Sequence, residues 1–491
     1  MILLALSLAA ASPIVAVDGG RIAGEQGADR VSFRGIPFAA PPVGPLRWRP
    51  PAAVRRWTGV RPARISAPSC AQLDDGWNKA NADNSAEDCL YLEVASPTLT
   101  PAAPMPVMVW IHGGSNKAGG GAGAIASSIV RRGIVLVSIQ YRLGPLGFMA
   151  HPALTAEGRG SGNYGLMDQQ AALRWVRRNI ARFGGDARNV TIAGESAGGQ
   201  DVGLQQVSPL AAGLFDKAIE ESGTAGFGFP ARDLSTSEAI GEEIAGLAGA
   251  PHANAAALRM LPVAALLGAA RRIATPPGLP EPGTVWLQTT IDGHVITEPP
   301  ARTLTRRGGQ RVPLLIGSNA REIGFFPTAD AARAALTAAL GDRSATALRH
   351  YQLDRATPPA DDPLLGPVQD QVATDLVFSC PATLVARSRY RSGVPVWQYL
   401  HAYDPAGGPA LGHASEIRYM FGNAGEDGIA ADAPRLQAYW ANFVRSGNPN
   451  GPGLATWPRL DAAGSFIAFG AGKPVVGPNL RSGVCDLTDR F

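Results

Sequence analysis

Lysine is nearly missing from this chain of 491 residues: Lys79, Lys117, Lys217 and Lys473 are the only four among 44 basic residues. The basic side chains are therefore almost all arginine, scattered rather than gathered in a patch interleaved with aromatics. With 40 acidic residues and a formal charge of +4, that pattern excludes an electrostatic nucleic-acid footprint. Cysteine is scarce as well. Cys70, Cys89, Cys380 and Cys485 include no C-x-x-C pair, which excludes a zinc ribbon and a thioredoxin-like redox motif. Four cysteines in an exported chain favour two disulfides, and spacing alone leaves all three pairings open. No apolar run reaches the roughly 18 residues that a membrane span needs. Ser/Gly linkers, charge blocks and internal repeats are missing too, so nothing divides the chain.

What is present is a hydrophobic content of 45%, enough to bury a large core. The segment Met1 to Ala11 joins an apolar run to the small residues Ala9-Ala10-Ala11, the pattern of a signal peptide without its usual basic start. The expectation is therefore a signal over 1–11, one α/β domain over 12–491, and a protein secreted or delivered to a periplasm. The abundance of Ala, Arg, Gly and Pro points to a GC-rich bacterial source.

Buried-strand runs recur at Pro106–Ile111, Gly133–Gln140, Val190–Ala193 and Val312–Gly317, each ending in a polar or glycine-rich turn. Between the second and third, Ala172, Trp175, Val176, Ile180 and Phe183 recur at helical spacing within Met167–Asp186, and Gly184-Gly185 supplies a stop. Strands alternating with helices predict crossover connections and a mostly parallel central sheet flanked by helices. Segments rich in Ala, Leu, Glu and Arg, about 234–272 and 330–349, predict helical insertions over an opening at the strand ends.

The run Val190-Thr191-Ile192-Ala193 leads into Gly194-Glu195-Ser196-Ala197-Gly198. In a nucleophile elbow, a sharp turn between strand and helix pushes a serine hydroxyl clear of the sheet, and the flanking glycines let the two elements approach. The pentapeptide alone is weak evidence. With 26 serines and 59 glycines, about 0.4 such matches arise by chance. Its weight comes from context. The strand Pro106–Ile111 ends in His112-Gly113-Gly114-Ser115, a small-residue loop suited to present backbone N–H groups to a developing oxyanion. A dinucleotide reading of Gly119, Gly121 and Ala124 fails, because no acidic residue about twenty positions on would hold a ribose.

The ordered stretches "FRGIPFAAPPVGPLRW", "SAEDCLYLEV", "VMVWIHGG", "QYRLGPLGF", "GNYGLMDQQAALRWVRRNIARFGGDARNVTIAGESAGG", "IGSNAREIGFF", "GHASEIRYMFG" and "WANFVRSGNPN" resemble the type-B carboxylesterase/lipase family of α/β-hydrolases, which includes the cholinesterases. The resemblance covers nearly the whole chain. It implies Ser196 as nucleophile, Glu322 as triad acid and His413 as general base, in the chain order the fold requires. It implies an oxyanion hole from the amides of Gly114, Ser115 and Ala197, a small-molecule ester as substrate, and no metal or cofactor. It also pairs Cys70 with Cys89 and Cys380 with Cys485, and makes Arg47 and Glu87 a structural ion pair. Of the seven histidines, His413 alone matches the family's histidine motif. The chain departs from the family at Ser115, where a third glycine is usual, and at Asn116, where an aromatic is usual. The substitutions bear on the room and polarity beside the oxyanion hole. A non-catalytic binding protein on this fold is the alternative when triad members are lost, and all three are present. A hydrolase of amides, carbamates or lactones would use the same residues.

Overall fold

A computed structural model describes residues 12–158, 160–226, 228–275, 282–405 and 411–488. The expected signal segment, 1–11, lies outside the described residues.

The apolar runs become strands because a strand buried on both faces needs no polar alternation. Among the described residues, eleven strands make one sheet: β1 (Glu25–Gln26), β2 (Val31–Pro37), β3 (Tyr91–Ser96), β4 (Met105–Ile111), β5 (Val135–Ile139), β6 (Gly185–Glu195), β7 (Lys217–Glu221), β8 (Leu314–Asn319), β9 (Val396–His401), β10 (Phe466–Phe469) and β11 (Val475–Gly477). Their spatial order is β11-β10-β9-β8-β7-β6-β4-β5-β3-β2-β1. The run from β10 through β5 is parallel, while β3, β2 and β1 at one edge and β11 at the other pair antiparallel. The sheet is thus mostly parallel, as the strand–helix alternation requires.

Successive residues of β4 point to opposite faces, as the strand period of two dictates. Val107, Val109 and Ile111 join one apolar cluster with Val137 and Ile192, and Met108 and Trp110 join another with Leu136, Trp397 and Tyr399. Helices cover both faces. The expected helix appears as α1 (Tyr164–Asn179), tightened into a 3-10 turn over Ile180–Phe183 and stopped at left-handed Gly184. It begins upstream of Met167 because burial of Tyr164 and Leu166 extends the packed face. The helix α2 (Ala197–Val207) follows β6, and α3 (Leu436–Ser446) carries a buried face of Leu436, Trp440, Phe443 and Val444.

The expected insertions are broken into shorter helices, Leu234–Leu247, Ala255–Met260 and Val263–Ala270 in the first and Ala329–Leu340 with Ser344–His350 in the second. Proline and capping residues such as Asp233, Asn254, Pro262 and Thr328 start the new turns. Both disulfides form in the pairing that the resemblance implied, Cys70–Cys89 and Cys380–Cys485. Arg47 and Glu87 make a two-pronged ion pair. Arg142 grips Asp168 at 2.7 and 2.8 Å inside the core. Among the described residues no helix is long and apolar enough to cross a membrane.

Candidate active site

The strand β6 ends at Glu195 and α2 begins at Ala197, which leaves Ser196 to make the whole reversal at φ 58° and ψ −125°. A residue with a Cβ holds that conformation only where its surroundings impose it. The Ser196 amide donates to the Glu221 carbonyl at 2.8 Å, and the Ser196 carbonyl accepts from Gln200 at 2.9 Å. Glycine is needed beside it: a Cβ on Gly198 would sit 2.1 Å from the Ile111 carbonyl oxygen. The tight crossing of α2 over β4 is what lifts the hydroxyl above the strand ends.

Two later segments converge there. His413 follows β9 in the chain, and its Nε2 receives the Ser196 hydroxyl at 2.9 Å, across 217 residues of sequence. Its Nδ1 lies 2.6 Å from Glu322 Oε2. Glu322 stands just past β8. Its Oε1 accepts from the Asn319 amide at 2.7 Å, and its own amide donates to Thr374 Oγ1 at 3.0 Å. The carboxylate is therefore held at both oxygens, and the imidazole is aimed between acid and hydroxyl.

The loop after β4 turns through three left-handed residues, Gly114 (φ 110°), Ser115 (φ 54°) and Asn116 (φ 54°). The amides of Lys117 and Ala118 both donate to the Gly114 carbonyl at 3.0 Å, which closes the turn. Among the described residues the Gly114 and Ser115 amides, two of the expected oxyanion donors, have no acceptor. Ala197, the third expected donor, is the first residue of α2, where helix N–H groups point outward unpaired. Asn116, which stands where an aromatic is usual, points away from the pocket. Its side chain is 1% exposed and turned into the protein.

Sequence reasoning missed the carboxylates around His413. Glu195 Oε1 lies 3.2 Å from His413 Nε2. Glu416 accepts from Ser222 Oγ at 3.2 Å and from Asn319 Nδ2 at 2.7 Å, and Glu221 accepts from Trp440 Nε1 at 3.0 Å. All are buried. Burial pushes Glu195, Glu221 and Glu416 upward, and repulsion from nearby carboxylates adds to it: Glu416 and Glu322 act on Glu195, Glu416 and Glu195 on Glu221, and Glu322 on Glu416. Burial alone would lower His413, but the negative charges of Glu195, Glu322 and Glu416 outweigh it and raise the imidazole. Glu195 and Glu416 stand inside the quoted "GESAG" and "GHASE" motifs, so their positions were visible while their direction was not.

An apolar wall also went unforeseen. The Phe378 ring lies 5.1 Å from that of His413, Phe325 stacks on Phe378 at 5.9 Å, and Phe229 packs edge-on against Phe325 at 5.7 Å. On the side of the glycine loop, Trp77 remains 64% exposed, its ring close against Gly114.

A serine on a strand–turn–helix elbow, with acid and imidazole delivered after later strands of a mostly parallel sheet, defines an α/β-hydrolase. The chain belongs to the carboxylesterase family, whose profile matches residues 11–487. It is 36% identical over 483 residues to the fumonisin B1 esterase of Sphingopyxis macrogoltabida, covering 92% of this chain and 85% of that one. It is 34% identical to liver carboxylesterase 1 of Oryctolagus cuniculus, with coverage of 89% and 85%. Among solved structures, a PNB esterase superposes with a TM-score of 0.82 at 29% identity, over 97% of this chain and 99% of the other. The protein is accordingly a serine carboxylesterase, a hydrolase of carboxylic ester bonds.

Proposed function

We propose that Ser196, His413 and Glu322 carry out this hydrolysis through an acyl-enzyme. The observation that supports it is the unbroken chain of hydrogen bonds from Ser196 Oγ to His413 Nε2 at 2.9 Å and from His413 Nδ1 to Glu322 Oε2 at 2.6 Å. In this reading His413 takes the hydroxyl proton as Ser196 attacks the ester carbonyl, then gives a proton to the departing alcohol. Water repeats the sequence on the acyl-enzyme and frees the acid. Glu322 holds the imidazole in the tautomer with Nδ1–H and stabilises its cation. The amides of Gly114, Ser115 and Ala197 meet the carbonyl oxygen as it becomes negative, each donor contributing about 3 kcal/mol.

Phe378, Phe325 and Phe229 supply an apolar surface next to the imidazole, which fits small uncharged esters with a hydrophobic acyl or alcohol part. Residues 12–491 act as one catalytic domain in this proposal. Two disulfides support export to an oxidising compartment, secreted or periplasmic, with 1–11 as the signal.

Replacing Ser196 with alanine is expected to lower kcat on a chromogenic ester by about 10⁵–10⁶, and a fluorophosphonate probe is expected to label Ser196 alone on peptide mapping. Retention of more than a few per cent of activity, or labelling at another serine, would overturn the assignment.

A further inference from the structure

The proposed oxyanion donors sit on two separate elements. Gly114 and Ser115 lie on the loop after β4, whereas Ala197 opens α2. Donors on separate elements stabilise a tetrahedral oxygen only if the gap between those elements is held to a fraction of an ångström. The loop closes its own turn on the Gly114 carbonyl, but Ser115 carries a Cβ in the left-handed region, a conformation that its surroundings must impose.

A buried side-chain bridge spans the gap. Asn116 Nδ2 donates to Asp201 Oδ1 at 3.1 Å, and Asp201 lies on α2 just beyond its first turn. The other Asp201 oxygen accepts from Gln169 Nε2 of α1 at 2.5 Å, and Gln169 in turn accepts from Gln205 at 2.9 Å. The opposite end of Asn116 is anchored too. Its Oδ1 faces the Tyr141 hydroxyl at 3.3 Å, that hydroxyl donates to the His112 carbonyl at 2.6 Å, and the Asn116 carbonyl accepts from the Gly144 amide at 2.6 Å.

Asn116, Tyr141, Gln169, Asp201 and Gln205 are each at most 1% exposed, so water does not compete for these bonds. Among the described residues no charged neighbour offsets the burial of Asp201, and that burial raises its carboxyl to about 7. A carboxylate buried against neutral amides costs stability. What it supplies is a directional acceptor aimed at the oxyanion loop.

We propose that the Asn116–Asp201 hydrogen bond is the positioning link of the oxyanion hole, tying the loop that carries the Gly114 and Ser115 amides to the helix that carries Ser196 and the Ala197 amide. The proposal rests on the reading of those amides given above. Asn116 and Asp201 touch no substrate and act through the donors they align.

The link can be tested by exchanging its ends. In the double variant Asn116→Asp/Asp201→Asn, the carboxylate now at position 116 accepts from the amide now at position 201 and still faces the Tyr141 hydroxyl. The oxygen of that new amide accepts from Gln169, so every bond is kept with donor and acceptor reversed across the link. Asn116→Asp alone places two carboxylates face to face and is expected to lower kcat/KM at least tenfold. Asp201→Asn alone is expected to lose about tenfold, and the exchanged pair to recover to within about fivefold of the parent. In both single variants the inhibition constant of an alkyl boronic acid, which places an oxygen in the hole, is expected to rise in proportion to the loss in kcat/KM. A merely structural role would lower Tm and leave that constant unchanged. Should Asn116→Asp fail to fold, Asp201→Asn with the boronic acid carries the same test. An exchanged pair no better than the weaker single variant, or a boronic acid constant that does not move, overturns the link. An active Ser196→Ala variant would instead remove the reading beneath it, so the two failures are told apart.

Discussion

His413 Nδ1 and Glu322 Oε2 lie 2.6 Å apart, and the second carboxylate oxygen is fixed at 2.7 Å by the Asn319 amide. The acid therefore cannot swing away from the ring, and its charge is directed at one N–H. Glu322→Gln keeps the shape but lets the neutral amide support the wrong tautomer, with the proton on the nitrogen that must accept from Ser196. Steady-state hydrolysis of a p-nitrophenyl ester is expected to show kcat lower by about 10⁴ with KM little changed. A loss below tenfold would mean that another carboxylate orients the ring.

The charge of Glu195 is one of those that raise His413, beside the charge and hydrogen bond of Glu322. With His413 as the proposed general base, which works only when neutral, the raised imidazole is expected to place the acidic limb of the kcat/KM profile above that of free histidine, with activity climbing as pH passes through it. Glu195→Gln removes a negative charge that favours the imidazolium, so the limb is expected to move to lower pH. A limb that stays in place or moves upward would show that Glu195 is neutral in the free enzyme.

Ser115 holds a left-handed backbone with a Cβ, and its part in the proposed hole is played by its amide. Ser115→Gly keeps the amide and relieves the strain. The variant is expected to retain activity within about threefold, and to gain up to about 1 kcal/mol in denaturant unfolding. A loss beyond a hundredfold would show that the hydroxyl itself takes part.

The disulfides are expected to separate in their effects. Cys380–Cys485 closes a separation of 105 residues and Cys70–Cys89 one of 19. Loop-closure entropy assigns about 5 kcal/mol to the first and about 3 kcal/mol to the second. Replacing the first pair by serines is expected to lower Tm further, whereas replacing the second loosens the loop bearing Trp77 and is expected to raise KM first. The reverse ranking in Tm would mean that the short loop is the stronger staple.

The residues around β4 and β6 show what was legible beforehand. Apolar runs, a glycine-flanked serine and a left-handed stop at Gly184 are local instructions, because strand burial, turn geometry and helix termination depend on neighbours within a few positions. The same local reading passed over β9, where Gln398 and His401 interrupt the apolar residues of Val396–His401, and β10, whose apolar run of four residues is short. Glu322 and His413 were found through family resemblance to their motifs, not through composition or spacing.

By itself, then, the sequence determined the class of the fold, the strand-to-helix elbow at Ser196, and the order in which serine, acid and imidazole occur. Tertiary structure decided how they meet: His413 reaches Ser196 across 217 positions and Glu322 across 91. It also decided that Glu195 faces the imidazole and that Asn116 turns inward to Asp201 rather than into the pocket. The reason is physical. A backbone's local conformation follows from adjacent residues, whereas the direction of a buried polar side chain is set by which distant donor or acceptor the packed sheet and helices bring within about 3 Å of it.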